Sequence, residues 1–387
     1  MNYYILPKNN IQLHINTSIL DSDAEQIPYI SRSLYHFLIN IETHLQNVDS
    51  NMLEEIQNIV NTYEYIFSNV PRYLVSVGKV KPESNIFYEL IEIYYACNLN
   101  ELFIHKNKIS TLHLTPNHAS SIFFINVVRE DKEDEITYNT FQSFDQNQQV
   151  VVNKRFDFLF FEFDKEEYKD ITQYSRNIVL GLLYIFKYQN IDGIAIFKID
   201  HIFYKVIVDV IYILSNLFER VYIFKPIVSN IAEGERYIVC KNFAPGVTCY
   251  SEDIEEQLTK LLSTKTNITS VLTNTIPYYF INKIEESNIV IGQQQLESLS
   301  LINNLIKNKN KDDKIEMIKR NHIQKCIQWC EKYKIPHNKF MDKTNIFLNN
   351  KYLKENMVDN ETDKYPTILI ESERELEPES EQEQAIE

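Results

Sequence analysis

Residues 192–243 read DGIAIFKIDHIFYKVIVDVIYILSNLFERVYIFKPIVSNIAEGERYIVCKNF, and this stretch decides the fold. Gly193–Ile199 is a short apolar run that carries Lys198 near its end. Lys205–Phe218 has helical length and periodicity. Arg220–Phe224 is a second apolar run, followed by Lys225-Pro226 and a loop with Ser229. Glu235 leads a last run, Arg236–Asn242. Short, nearly continuous apolar strands between helices predict a sheet covered on both faces, mostly parallel.

The alternation extends toward the N-terminus. Ser84–Cys97 reads as a helix, Ile109–Leu114 as a short strand and Ala119–Val128 as the helix after it. Phe156–Phe163, FDFLFFEF, is a continuous apolar strand, and Tyr174–Tyr188 an amphipathic helix. Before this unit, residues 20–70 read as helical. Ile30, Leu34, Phe37, Leu38 and Ile41 recur at helical spacing, as do Leu53, Ile56, Ile59 and Val60. Pro71, Gly78 and Pro82 punctuate the passage between the two. Residues 251–350 read as helical again, with a Lys- and Asn-rich linker at Lys307–Lys314. The expected organisation is a helical N-terminal extension (1–79), an α/β domain (80–245), a helical C-terminal extension (246–357) and an acidic, disordered tail (358–387).

Composition narrows the function. Only 6 of 387 residues are glycine, where average usage gives roughly 27. The chain contains no G-x-x-x-x-G-K-[ST], no G-x-G-x-x-G and no G-x-S-x-G, which argues against P-loop NTPases, protein kinases, standard dinucleotide enzymes and α/β-hydrolases. The formal charge is −15, from 39 basic and 54 acidic residues. Glu371–Glu387 holds eight Glu and one Arg, which leaves −8 on the rest. Bulk charge of that sign does not attract nucleic acid, so any RNA contact needs a local basic patch. Five cysteines, an N-terminus without a signal-peptide core and the lack of an apolar run near the ~20 residues of a membrane span predict a cytoplasmic protein without a membrane partner.

The segment 192–243 resembles the second half of the FtsJ-like (RrmJ-type) ribose 2′-O-methyltransferases, and is most similar to the cap-methylating branch of eukaryotes and large DNA viruses. That family carries a strand with a terminal Lys, then K-P-x-x-S-R, then S-E-R/x-Y-x-V-C; here these positions are Lys198, Lys225-Pro226-x-x-Ser229-Asn230 and Gly234-Glu235-Arg236-Tyr237-Ile238-Val239-Cys240. The first half of the family is similar more weakly. Ser84–Ile93 resembles its opening helix, Thr111–Ile122 (TLHLTPNHASSI) its cofactor loop with Pro116 as the matching proline, and Phe156–Asp164 its second acidic strand. The resemblance covers about residues 80–245 and implies a Rossmann-like, S-adenosylmethionine-dependent methyltransferase fold whose last strand, Arg236–Asn242, is antiparallel. A viral origin would place the protein in host cytoplasm or virion.

Methyl transfer to a ribose 2′-OH needs a cofactor pocket, an in-line oxygen and help in removing a proton. In the family a Lys-Asp-Lys-Glu tetrad supplies the last two, the central Lys working with a lowered pKa. By resemblance Lys198 is the central Lys and Glu235 the closing Glu. The Asp corresponds to Glu162, or to Asp164 if the loop slips by two. The first Lys corresponds to Glu89, a reversal of charge. Three carboxylates around one Lys are expected to hold it as an ammonium, the wrong direction for a base. The paired glycines of the cofactor loop correspond to Asn117-His118, where side chains crowd the space that Gly leaves open. The cofactor-binding candidates are therefore Pro116, Asn117, His118 and Asp164, on a loop poorly suited to S-adenosylmethionine. Two functions follow. One is transfer of a methyl group to capped mRNA with Lys198 as base. The other is a non-catalytic scaffold or partner subunit of an RNA-processing complex.

Other constellations read as ordinary structure. His322, Cys326 and Cys330 fall on one helical face beside Trp329, as an amphipathic core helix rather than a metal site. Lys307–Arg320 is a basic run interrupted by acids, a solvated face with an RNA-contacting helix as its sharper reading. His113 and His118 read as surface or capping histidines.

Overall fold

A computed structural model describes residues 2–16, 26–130, 132–140, 154–164, 168, 170–246, 252–264, 267–307, 312–338 and 340. The expected acidic tail at 358–387 lies outside the described residues, as does most of 339–357.

Seven strands form one sheet. They are β1 (Asn2–Leu6), β2 (Ser110–Leu114), β3 (Glu135–Asn139), β4 (Phe156–Glu162), β5 (Gln189–Ile199), β6 (Phe218–Lys225) and β7 (Arg236–Phe243), in spatial order β1-β6-β7-β5-β4-β2-β3. β3, β2, β4 and β5 run parallel. β7 is inserted antiparallel between β5 and β6, and β1 pairs antiparallel with β6 at the edge. This is an α/β, Rossmann-like methyltransferase fold, with a mostly parallel core and an antiparallel last strand. From β2 the chain steps outward to β3, then returns to β4 on the other side. The switch point thus lies between β2 and β4, where open α/β sheets hold their ligands beyond the carboxyl ends of the strands.

Eleven described helices accompany the sheet: α1 (Arg32–Leu45), α2 (Ser50–Val60), α3 (Glu64–Phe67), α4 (Ile86–Ala96), α5 (Asn100–His105), α6 (Ala119–Val128), α7 (Ile171–Tyr188), α8 (Lys205–Leu217), α9 (Glu252–Ser263), α10 (Tyr278–Lys307) and α11 (Asp312–Lys332). Alternation along the strands assigns the faces. Leu159, Phe161, Ala195, Phe197, Ile238 and Cys240 pack with α7, α8, α9 and α10. Phe158, Phe160, Ile194, Ile196, Tyr237 and Val239 pack with α4, α6 and α11. Both faces are buried, which is why these strands read as continuous apolar runs.

The helical extensions are joined to this sheet. Residues 1–79 contribute α1–α3 and also the edge strand β1. A smaller core unites α1, α2 and α10 through Leu38, Ile56, Ile59, Leu299 and Ile302. α11 docks through Cys326, Trp329, Cys330 and Tyr333 against Tyr65, Tyr88 and Tyr95. Both cysteines are 0% exposed, and burial raises both thiols well above their usual pKa, to about 12 for Cys330.

Candidate active site at the carboxyl edge of the sheet

Strand register builds the centre. Glu162 in β4 lies directly beside Lys198 in β5, and Lys198 beside Tyr237 in β7. Paired neighbours project from the same face, so all three side chains meet on the side covered by α4. α4 adds Glu89, and the turn before β7 adds Glu235. The structure therefore brings together all four residues assigned to the tetrad. Lys198 Nζ lies 3.2 Å from Glu235 Oε2, 3.4 Å from Glu162 Oε1 and 3.7 Å from Glu89 Oε2. Its side chain is only 8% exposed. Asp164, the alternative for the second position, is exposed past the end of β4 and makes no ion pair with Lys198.

The charge balance follows from this geometry. Burial alone would push the Lys198 ammonium toward neutrality, but Glu89, Tyr237, Glu235 and Glu162 outweigh it and hold its pKa well above the usual lysine value. Burial raises the Glu162 carboxyl, against the pull of Lys198 and of the Thr115 hydroxyl. Tyr237, itself pushed far up by burial and then by Glu89, donates its hydroxyl to Glu89 Oε2. An ammonium in this cage has no lone pair at neutral pH. It donates hydrogen bonds and balances charge, and it does not accept a proton.

Two further cations brace the cage. Lys225, at the end of β6, gives its three protons to the carbonyls of Asn230, Glu233 and Glu235 at 2.9, 2.9 and 2.7 Å, and burial lowers its pKa to about 8. It fixes the loop that presents Glu235. Arg236 is 1% exposed, donates to Gly234 O and Asn288 Oδ1, and is lowered by burial to about 10. On α4, Glu92 accepts from the amides of Ile227 and Val228 and from Trp329 Nε1, tying the Lys225-Pro226 loop to α4 and α11. Sequence reasoning did not select Lys225, Arg236, Tyr237, Thr115 or Glu92 as site residues. Tyr237 could have been found from its expected register beside Lys198, and Lys225 from its place at the end of an apolar strand.

Folds of this class bind S-adenosylmethionine at the switch point, and the residues here fit that ligand poorly. Three amides around the loop between β2 and α6 are engaged within the protein: Thr115 N donates to Asn139 O of β3, Asn117 N to Thr115 Oγ1 and Ala119 N to Asn117 Oδ1, each at 3.2 Å. None of residues 115–118 has a positive φ, so Asn117 does not reproduce a glycine turn. The His118 ring stacks on Tyr138 of β3 with centroids 4.0 Å apart and planes at 15°. Across the switch point, Thr115 Oγ1 donates to Glu162 Oε2 at 2.6 Å. Pro116 and Asn117 are exposed beyond these contacts. Among the described residues, the amides of Thr115, Asn117 and Ala119 and the Thr115 hydroxyl are thus already engaged within the protein.

His113 corrects an expectation. It is no surface histidine but fully buried in β2, with Nδ1 2.9 Å from Ser121 Oγ and Nε2 3.2 Å from Thr111 Oγ1. Burial, with help from the His118 charge, lowers its pKa to about 3, so it is a neutral core residue.

No family model matches the chain, and no curated protein matches it. Among solved structures, a Plasmodium falciparum protein assigned as a ribosomal RNA methyltransferase is similar over 42% of this chain and 99% of its own, at 19% identity and a TM-score of 0.32. No helix among the described residues is long and apolar enough to cross a membrane.

Proposed function

We propose that this chain is a degenerate FtsJ-like ribose 2′-O-methyltransferase, acting as a non-catalytic partner subunit in RNA processing, with the mRNA cap as the related substrate class. The observation that carries this reading is Lys198 enclosed by Glu89, Glu162 and Glu235, all within 3.7 Å. The position that the family resemblance assigns to a base is held as a cation, and the loop it assigns to the cofactor is tied by hydrogen bonds within the protein and by the His118–Tyr138 stack. The retained Lys198–Glu235 contact at 3.2 Å favours the second reading, an active cap methyltransferase using Lys198 with Glu162 and Glu235. Transfer of labelled methyl from S-adenosylmethionine to capped RNA separates the two. The proposal expects no incorporation above a no-protein control. Incorporation that disappears in Lys198→Ala would establish the second reading.

A further inference from the structure

α11 lies outside the segment that carries the family resemblance, and its exposed face is not uniform. Lys314, Asn321, Lys325, Gln328 and Lys332 follow one another at steps of seven, four, three and four residues. Such steps keep side chains along one edge of a helix. All five are exposed, and none of the three lysines has an ion pair among the described residues. Off this edge, Lys319 lies 3.9 Å from Glu316, which Arg72 also approaches at 3.7 Å. At 1.5 Å per residue the edge from Lys314 to Lys332 is about 27 Å long. Met317, 59% exposed, and Ile318 fill the gap between Lys314 and Asn321, and Glu331 flanks Lys332; from Asn321 to Lys332 the edge itself consists of cations and amides.

The edge is aimed. At its C-terminal end Trp329 Nε1 donates to Glu92, which holds the amides of Ile227 and Val228, so α11 is clamped to the loop after β6. The Lys332 charge reaches Glu92 from the same end. The lysine edge therefore leads toward the carboxyl edge of the sheet, beside the Lys198 cage. There, by contrast, the basic groups Lys198, Lys225 and Arg236 are buried among carboxylates and carbonyls and offer nothing to a polyanion.

We propose that the Lys314–Lys332 edge of α11 binds the phosphate backbone of single-stranded RNA. A linear row of lysines without a carboxylate partner among the described residues, with amide donors between them, suits a linear polyanion, since lysines neutralise phosphates while Asn and Gln reach phosphate and sugar oxygens. The −15 net charge does not oppose this, because charges more than about 8–10 Å from the row are screened at physiological salt. The inference rests on the proposed RNA-processing role but not on the state of the methyl-transfer centre.

The test is fluorescence anisotropy of a labelled 20-nucleotide single-stranded RNA with the full-length protein, from 50 to 200 mM KCl. K314E/K325E/K332E is compared with wild type and with K8E/K108E/K260E, a control triplet exposed elsewhere. The α11 variant is expected to weaken binding at least about tenfold and to flatten the slope of log K against log salt by about 2, as loss of about three phosphate contacts requires. The control triplet should leave the slope unchanged. Equal slopes for wild type and the α11 variant would overturn the proposal, as would no wild-type binding at 50 mM KCl. Displacement of the RNA by poly-glutamate at equal charge would also overturn it and assign the edge to acidic proteins. Titrating the same preparations with S-adenosylmethionine reports on the centre independently, so either reading can fail alone.

Discussion

Replacing Lys198 by methionine keeps most of the side-chain volume and removes the one cation between three carboxylates. Glu89, Glu162 and Glu235 then face one another with nothing to balance them, at positions 3.7, 3.4 and 3.2 Å from the lost ammonium. Removing one partner from a buried ionic cluster costs about 3–5 kcal/mol, and the 8% exposure of Lys198 leaves little solvent to reduce that. The loss must depend on pH. Burial already raises the folded-state pKa of Glu162, and without Lys198 it rises further. A carboxyl whose folded pKa lies above its unfolded value penalises the fold at high pH, and the penalty fades as pH falls toward the unfolded value near about 4.3. Trp329, the only tryptophan, is buried in the core beside Tyr88 and reports unfolding by fluorescence. Urea titrations should show Lys198→Met about 3–5 kcal/mol less stable than wild type at pH 8, with the gap narrowing toward pH 5. A gap below about 1 kcal/mol at pH 8, or one equally wide at pH 5, would refute the picture of a charge-compensating lysine.

Three further outcomes follow from the geometry. His113 has a folded pKa of about 3, so its contribution is present above the unfolded value near about 6.5 and is lost as pH falls from there toward 3, by about 1.4 kcal/mol per pH unit. Between pH 6 and 4 the wild type should therefore lose stability more steeply than His113→Gln, and parallel slopes would contradict this. Glu92→Gln puts an amide donor against the Ile227, Val228 and Trp329 donors and should cost about 1–3 kcal/mol in urea unfolding; an unchanged midpoint would show that the clamp between α4, α11 and the post-β6 loop is dispensable. A Cβ on Gly234 would collide with the His201 ring, which Asp200 and Gln295 hold from opposite sides. Gly234→Ala should accordingly cost about 1–3 kcal/mol, read as a lowered thermal midpoint.

The sheet was legible in the sequence where both faces are buried. Phe156–Glu162, Gln189–Ile199, Phe218–Lys225 and Arg236–Phe243 overlap the expected strands, and Ala119–Val128 coincides with the expected helix. A strand shielded on both sides must be apolar throughout, and that leaves a run no loop shares. The edge strands did not announce themselves. β3 is the polar, partly exposed EITYN, and β1 is five residues whose role depends on Tyr3 and Ile5 meeting β6 far along the chain. The cage was partly legible. Lys198 and Glu235 stand in a specific local motif, and Glu162 and Glu89 follow from aligning weaker ones. The residues that set the charge balance were hidden because their roles arise from register and tertiary contact. Tyr237 acts through its place beside Lys198, Lys225 through three carbonyls of a loop five to ten residues on, and Thr115 through a bond across the switch point. His113 was misread for the same reason, since its partner Ser121 lies on the following helix.

The most direct test of the central claim is calorimetric titration of the full-length protein with S-adenosylmethionine, with S-adenosylhomocysteine as second ligand. A loop tied across the switch point by the Thr115–Glu162 bond, and toward β3 by the His118–Tyr138 stack, predicts no saturable heat up to millimolar concentrations of either. Binding in the micromolar range, about −8 kcal/mol at 1 μM, would contradict it. The loop at Pro116 would then open to a cofactor, and Lys198 would again be a candidate for chemistry.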